Sequence, residues 1–274
     1  MSDIERWIAN PYALYASKIL RLDRLPPLGA EPDAALRGAL LHDALGRFAA
    51  RFPCALPVDP RRELLQLAEA VLADYAAHPR VAAFWLPRLA RFAQWFADTE
   101  AERRNGMTLT LAEVDGRDVM AAPAGPFTLR ARADRVDVAE HGVVITDYKS
   151  GADLRRLAGR ALSGEAPQLP LEAAIAAAGG FAQVAPRAVT ALRYVSASGG
   201  EPPGDQVDLK TGDVAALAAD ARQRLAQLVA AFDDAATPYR AVRRARFTYD
   251  FDDYAQLARI AEWSAEGGEP GGEG

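Results

Sequence analysis

The sequence predicts an α/β fold with a helical N-terminal region, and the order of its periodic segments is the main reason. Residues 1–105 repeat apolar positions with helical spacing, whereas the segments after residue 106 alternate with strand spacing between turn signals. A helix, a strand and a long amphipathic helix follow. Half of the 274 residues are hydrophobic, so the chain can bury a sizeable core, and a disordered or fibrous protein is excluded.

Prolines divide the helical region. Asp59-Pro60 combines an N-cap aspartate with proline at the first helical position, which is typical of a helix start. Pro87 is expected to kink or split the aromatic-rich stretch that begins at Pro79, because proline removes a helical hydrogen bond. The predicted helical segments are Tyr12–Leu20, Asp33–Phe52, Asp59–His78 and the stretch from Pro79 to Phe96.

The remainder is predicted as strands followed by helices, with 153–162 left open. We expect a single domain over 1–265, with a helical part at 1–105, a core with C-terminal helices at 106–265, and a disordered Gly/Glu/Pro-rich tail at 266–274. The predicted strands are Met107–Val114, Asp118–Ala122, Phe127–Val138, Val143–Lys149 and Ala188–Val195. The predicted helices are Pro170–Ala178, Asp213–Phe232 and Phe251–Trp263.

Composition narrows the possible function classes. The single cysteine, Cys54, cannot form an internal disulfide or a four-cysteine zinc or iron–sulfur site, so a reducing, cytoplasmic setting is expected. No apolar run is long enough to span a membrane, and the N-terminus does not resemble a signal peptide. No Gly-x-x-x-x-Gly-Lys-Ser/Thr motif occurs, so no ATP site is expected. The net charge of -5 disfavours a nonspecific nucleic-acid coat but not an enzyme that uses carboxylates.

The most informative segment is a predicted hairpin with a four-residue loop, 139–142. Its register places Val138 opposite Val143 and, further along, Asp134 opposite Asp147, with Lys149 on the same face as Asp147. Opposed like charges are destabilising, and a divalent cation would convert their repulsion into coordination. A nearby lysine could then position the attacking water and stabilise developing phosphate charge.

The charge pattern alone leaves an alternative open. The end of the hairpin could be solvated, with Arg132, Arg135 and Lys149 simply neutralising the aspartates. A loop of a different length would also shift the register.

Beyond this pattern, Asp134 followed by Asp147-Tyr148-Lys149-Ser150-Gly151 resembles the core of the PD-(D/E)XK nucleases, and the spacing is similar to that of their RecB-like branch. The resemblance implies a restriction-endonuclease-like core, in which a central mixed sheet is flanked by helices. It also implies metal-dependent hydrolysis of DNA phosphodiesters, by an exonuclease rather than an endonuclease. The implied ligands of one or two Mg²⁺ or Mn²⁺ ions are His42, Asp134, Asp147 and the backbone carbonyl of Tyr148, and Lys149 would activate water.

Two flanking motifs belong to the same resemblance. The segment from Gly38 to His42 resembles a Gly-x-x-x-His helix whose histidine is a metal ligand, although a histidine in such a place can also be purely structural. Gln168 matches the first position of a Gln-x-x-x-Tyr motif, which implies a catalytic role beside the substrate. Glu172 replaces the tyrosine, and we expect it to be a helix-surface glutamate rather than an additional acidic group of the site.

The resemblance extends almost end to end, to the C-terminal nuclease domain of the AddB family. It rests on the opening Ile4–Tyr12 and on the ending Tyr254–Ser264. It implies double-strand-break repair with an AddA-like helicase-nuclease partner. The iron–sulfur cluster of many members should be absent, because Asn10 stands where a cysteine often does and no cysteine follows the core. A stand-alone RecB-like exonuclease and a non-catalytic DNA-binding scaffold are the alternatives.

Overall fold

The computed structural model describes residues 1–22, 25, 33–75, 78–79, 81–241 and 253–259. The chain divides into two compact units, one formed by Met1–Ala30 with Ala231–Gly274 and the other by Glu31–Ala230. The expected single domain over 1–265 stays a prediction. The predicted tail at 266–274 lies outside the described residues.

The smaller unit combines N-terminal helices with segments from the end of the chain. Its helices are α1 (Ser2–Ala9), α2 (Pro11–Leu14) and a π-helix (Tyr15–Ile19). The ring of Trp7 meets that of Phe232 edge-on at 5.2 Å, and Tyr15 lies 5.3 Å from Tyr239. The predicted helix Phe251–Trp263 falls largely on residues outside the description, and its described part, 253–259, forms turns instead.

The larger unit contains a mixed five-stranded sheet flanked by helices. The sheet order is β1-β2-β3-β4-β5, and every neighbouring pair is antiparallel except β3–β4. The parallel pair needs a long crossover, which two helices provide. The strands are β1 (Met107–Met120), β2 (Phe127–Ala139), β3 (Val143–Lys149), β4 (Val189–Ser196) and β5 (Asp205–Asp208). The helices are α3 (Ala34–Arg51), α4 (Pro60–Leu72), α5 (Leu86–Arg103), α6 (Leu154–Ser163), α7 (Gln168–Ala177) and α8 (Val214–Asp233). Residues 231–233 at the end of α8 belong to the smaller unit.

An apolar core joins α3, α4 and α5 to the sheet. Phe48 and Phe96 meet edge-on at 5.1 Å inside it, and both are almost completely buried. Tyr148 of β3 and Val195 of β4 belong to the same cluster. This packing fixes α3 against the end of the strands that carry the candidate site.

The predicted α/β fold with a helical N-terminal region is confirmed, with several differences in its elements. The two strands predicted over 107–114 and 118–122 are one continuous strand, because Asp115 and Gly116 stay paired with β2. The short polar β5 was not predicted. The open segment is helix α6, which Asp153 caps and Gly164 ends at a φ of 84°. Pro87 does split its stretch: a π-helix at Val81–Trp85 gives way to α5.

Candidate active site

The hairpin register follows the prediction near its loop. Val138 pairs with Val143, and the ladder continues to Arg135 opposite Thr146. The next expected pair, Asp134 with Asp147, is not part of this ladder. Instead, the Asp134 carboxylate accepts the backbone N–H of Tyr148 at 2.8 Å.

Glu113 of β1 lies beside Asp134 of β2 and was not predicted as part of the site. Its φ is 52°, a left-handed conformation that is rare for a residue with a side chain and often marks a functional site. Its neighbours Ala112 and Val114 pair with Arg135 and Ala133, so Glu113 falls opposite Asp134. An acidic residue on the strand beside Asp134 was the signal that could have revealed it.

His42, Glu113 and Asp134 form a group that could hold a metal ion. One potential ligand atom of each lies within 4.8 Å of those of the other two. His42 Nδ1 is 3.4 Å from Asp134 Oδ2. The three side chains line a cleft of about 870 Å³ between α3 and the β1–β2 ribbon.

Small residues let α3 approach the strands closely. A Cβ atom at Gly38 would lie 2.9 Å from Ser150 Oγ, just beyond the end of β3. A Cβ at Gly46 would lie 3.4 Å from Glu113 Cγ. His42 lies between these glycines in the sequence, so the close approach carries its ring to Asp134. The start of the helix is fixed by Asp33, whose carboxylate accepts the N–H of Leu36 at 2.8 Å.

The carboxylate of Asp134 also changes the acidity of His42. Burial lowers the pKa of the imidazole, but the hydrogen bond and the negative charge of Asp134 outweigh it and raise the pKa above the usual histidine value. The pKa of Glu113 is raised by burial and by the neighbouring charge of Asp134. Crowded acids of this kind favour binding of a cation.

A second group surrounds Asp147, whose side chain is 2% exposed. Lys149 Nζ lies 2.7 Å from Asp147 Oδ2 and donates to Gln168 Oε1 at 3.3 Å. Gln168 Nε2 donates to Asp147 Oδ1 at 2.6 Å. Burial raises the pKa of Asp147 to about 6, with the Asp134 charge adding to the effect and Lys149 opposing it.

Glu172 is fully buried, so the expectation of a helix-surface glutamate is wrong. Its Oε1 accepts from Gln168 Nε2 at 3.2 Å, while Oε2 is buried and has no hydrogen-bond partner among the described residues. Burial and the charge of Asp147 raise the pKa of Glu172 well above the usual value. The protein packs this side chain inside because α7 is apolar on all sides and lies under the sheet.

The arginines near the hairpin do not neutralise Asp134 and Asp147, contrary to the alternative that the charge pattern left open. Arg135 is buried in the core, where it contacts Glu100 at 2.8 Å and Asp137 at 2.8 Å. Arg132 lies 3.1 Å from Glu113. Lys149 alone of the three basic residues pairs with one of these aspartates.

Comparison with known proteins gives the family. The model of the PD-(D/E)XK nuclease superfamily matches residues 1–247. This chain belongs to the PD-(D/E)XK nuclease superfamily. The match covers both residue groups and all five strands of the sheet.

Two curated proteins similar to this PD-(D/E)XK protein come from Rickettsia species and are named as uncharacterized. An uncharacterized protein of Rickettsia bellii is 25% identical over 152 residues, and one of Rickettsia typhi is 26% identical over 156 residues. Each match covers 55% of this chain and 18% of the relative, so the chain spans less than a fifth of their length. The crystal structure of SSO0001 covers 72% of this chain and 78% of its own, at 10% identity and a TM-score of 0.27.

Several finer expectations remain predictions for this superfamily member. The uncharacterized relatives assign no RecB-like or AddB branch and no AddA-like partner. The roles of His42, Asp134, Asp147, Tyr148, Lys149 and Gln168 are likewise proposals. No helix among the described residues is both long and apolar enough to cross a membrane.

Proposed function

We propose that this chain is a metal-dependent deoxyribonuclease that hydrolyses DNA phosphodiesters at the cleft between α3 and the β1–β2 ribbon. The observation that carries the proposal is the convergence of His42, Glu113 and Asp134 beside the buried Asp147–Lys149 pair. Within this superfamily, acids on adjacent strands followed by a lysine are the expected pattern of the reaction centre.

The donor atoms fit a divalent cation. Carboxylate oxygens suit Mg²⁺ and Mn²⁺, and one imidazole is compatible with Mn²⁺ in particular. His42, Glu113 and Asp134 would hold the ion, with Asp147 and the Tyr148 carbonyl completing the set. When bound, such an ion neutralises phosphate charge and lowers the pKa of a coordinated water.

Lys149 and Gln168 would supply the remaining functions of the site. Lys149 is an ammonium held between the carboxylate of Asp147 and the amide oxygen of Gln168. From there it would orient the attacking water and stabilise negative charge on the phosphate. Gln168 fixes this arrangement because its amide nitrogen binds Asp147 and Glu172 while its oxygen receives Lys149.

We further propose an exonuclease that works with an AddA-like helicase-nuclease subunit in double-strand-break repair and uses one or two Mg²⁺ or Mn²⁺ ions. The AddB-like opening and ending of the sequence support this assignment. A stand-alone RecB-like exonuclease is the alternative enzyme. Co-purification of a helicase subunit with the tagged protein would separate the two.

The direct test is cleavage of linear and circular DNA, single- and double-stranded, with Mg²⁺, Mn²⁺ or EDTA. Asp147→Ala and Lys149→Ala should abolish cleavage, whereas Lys210→Ala, at an exposed lysine outside both groups, should match the wild type. Cleavage of linear DNA only would establish an exonuclease. A folded wild type that neither cleaves DNA nor is stabilised by either metal would overturn the proposal in favour of a non-catalytic scaffold.

A further inference from the structure

The β1–β2 ribbon has one buried and one exposed face beyond the candidate site. Val114, Gly116, Leu129, Ala131 and Ala133 are buried. The alternating positions on the other face are exposed: Asp115, Arg117, Val119, Thr128, Arg130 and Arg132. This face is more basic than the chain as a whole, whose net charge is -5.

Arg117 and Arg130 lie directly opposite each other on this exposed face. Directly opposed residues have Cβ atoms about 5 Å apart, and like charges at that distance are destabilising. Neither guanidinium forms an ion pair with any residue that the structure describes. Their neighbour Arg132 differs, because it faces Glu113 at 3.1 Å and Asp115 at 3.8 Å.

The arginine pair lines a second cleft, of about 660 Å³. The segment 180–182 lines the same cleft and lies beside β1, where Arg117 N–H donates to Gly180 O at 3.0 Å. Thr128 adds a hydroxyl group to the lining. Asp115 also lines the cleft, and its carboxylate lies 3.8 Å from Arg132. The cleft therefore presents two guanidinium groups without an ion pair among the described residues, which suits an anionic ligand.

This second cleft leads toward the candidate metal group. Arg130, Arg132 and Asp134 alternate along β2 toward the first cleft, which both Arg132 and Asp134 line. At about 3.4 Å per residue, Arg130 lies about 14 Å along the strand from Asp134. A polyanion bound by the arginine pair would thus extend over the site where cleavage is proposed.

We propose that Arg117 and Arg130 bind the phosphate backbone of DNA and direct the strand along the β1–β2 ribbon to the His42, Glu113 and Asp134 group. The proposal rests on the proposed function. Carboxylates at the reaction centre and the acidic net charge repel DNA, so a local pair of guanidinium groups is needed to retain it. Phosphate contacts of this kind fix position without reading sequence.

The test compares Arg117→Gln/Arg130→Gln with a control double variant, Arg61→Gln/Arg62→Gln, at exposed arginines of α4. Binding of a fluorescent single-stranded oligonucleotide is measured in EDTA over a series of salt concentrations. Loss of two phosphate contacts should weaken binding at low salt and reduce the slope of log K against log salt by about 1.4. With metal present, KM should rise while kcat is retained, and the control should match the wild type.

A measurement of thermal stability separates a loss of binding from a loss of folding. The thermal midpoint of the double variant should equal or exceed that of the wild type, because a like-charge repulsion is removed. If the wild type binds and cleaves DNA but the double variant has the same affinity and the same salt slope, this inference is overturned. A wild type that neither binds nor cleaves DNA would instead contradict the proposed function.

Discussion

The backbone N–H of Tyr148 donates to the Asp134 carboxylate at 2.8 Å, and this bond joins the two strands of the candidate site where their ladder ends. The same carboxylate lies 3.4 Å from His42 Nδ1 on α3. Asp134 therefore connects β2 to both β3 and α3, and a substitution at this residue should alter the contacts with both elements.

Replacement of Asp134 by Asn should lower the pKa of His42, because the negative charge that raises it is removed. A histidine whose pKa is raised in the folded state contributes stability that is full below its unfolded pKa and is lost as pH rises through the folded pKa. The wild type should therefore lose this stability as pH rises above the usual histidine pKa, and Asp134→Asn should not. An NMR titration of the His42 ring in both proteins checks this. Identical His42 titrations in the two proteins would contradict the prediction.

Asp147→Asn should stabilise the metal-free protein at pH 7 while abolishing cleavage. Burial raises the pKa of Asp147 to about 6 from the usual aspartate value of 3.8, so the folded state holds this proton more tightly than the unfolded state. The stability that this group contributes is then lost as pH rises from about 4 to 6. The amide removes that loss, which is worth about 3 kcal/mol by linkage. Urea unfolding at pH 4 and pH 7 measures it. A variant that is less stable than the wild type at pH 7 would show that Lys149 compensates the charge fully.

Glu172→Gln should retain both the fold and cleavage within a few-fold. The buried carboxyl has a pKa well above its usual value, so a neutral amide is close to the native state and still accepts from Gln168. Glu172→Ala should cost about 2–4 kcal/mol and lower kcat, because it leaves a cavity and releases Gln168. Steady-state kinetics and thermal unfolding of both variants are the measurement. Equal activity of the two would mean that Glu172 does not position Gln168.

Arg135→Ala should destabilise the protein by about 3–5 kcal/mol, because it leaves Asp137 buried without its cation, while Glu100 keeps Arg103 and Arg104. The matched control is Arg132→Ala, on the same strand, whose side chain is 61% exposed and should contribute about 1 kcal/mol or less. Chemical denaturation of both variants compares the two. Similar losses of stability in the two variants would contradict the interpretation that Arg135 compensates buried carboxylate charge.

Local pattern was sufficient for much of the fold and part of the site. The loop length, 139–142, and the strand period of two predict the register near the turn, where Val138 lies opposite Val143 and Val136 opposite Ile145. The same period brings Lys149 to the side of Asp147. The helical spacing of Gly38 and His42 likewise predicts the face of α3 that meets the strands.

Other features depend on contacts between distant segments. Glu113 joins His42 and Asp134 only because its backbone is left-handed within β1 and α3 packs over it. Arg135 contacts Glu100 on α5 and Asp137 on its own strand rather than Asp134 or Asp147, and Glu172 is buried because α7 packs against the sheet. The sequence by itself determined the periodic elements and the motif residues, since these follow from neighbours along the chain. Tertiary structure alone decided which charges are buried and which meet, because burial and its electrostatic cost exist only once the helices have packed on the sheet.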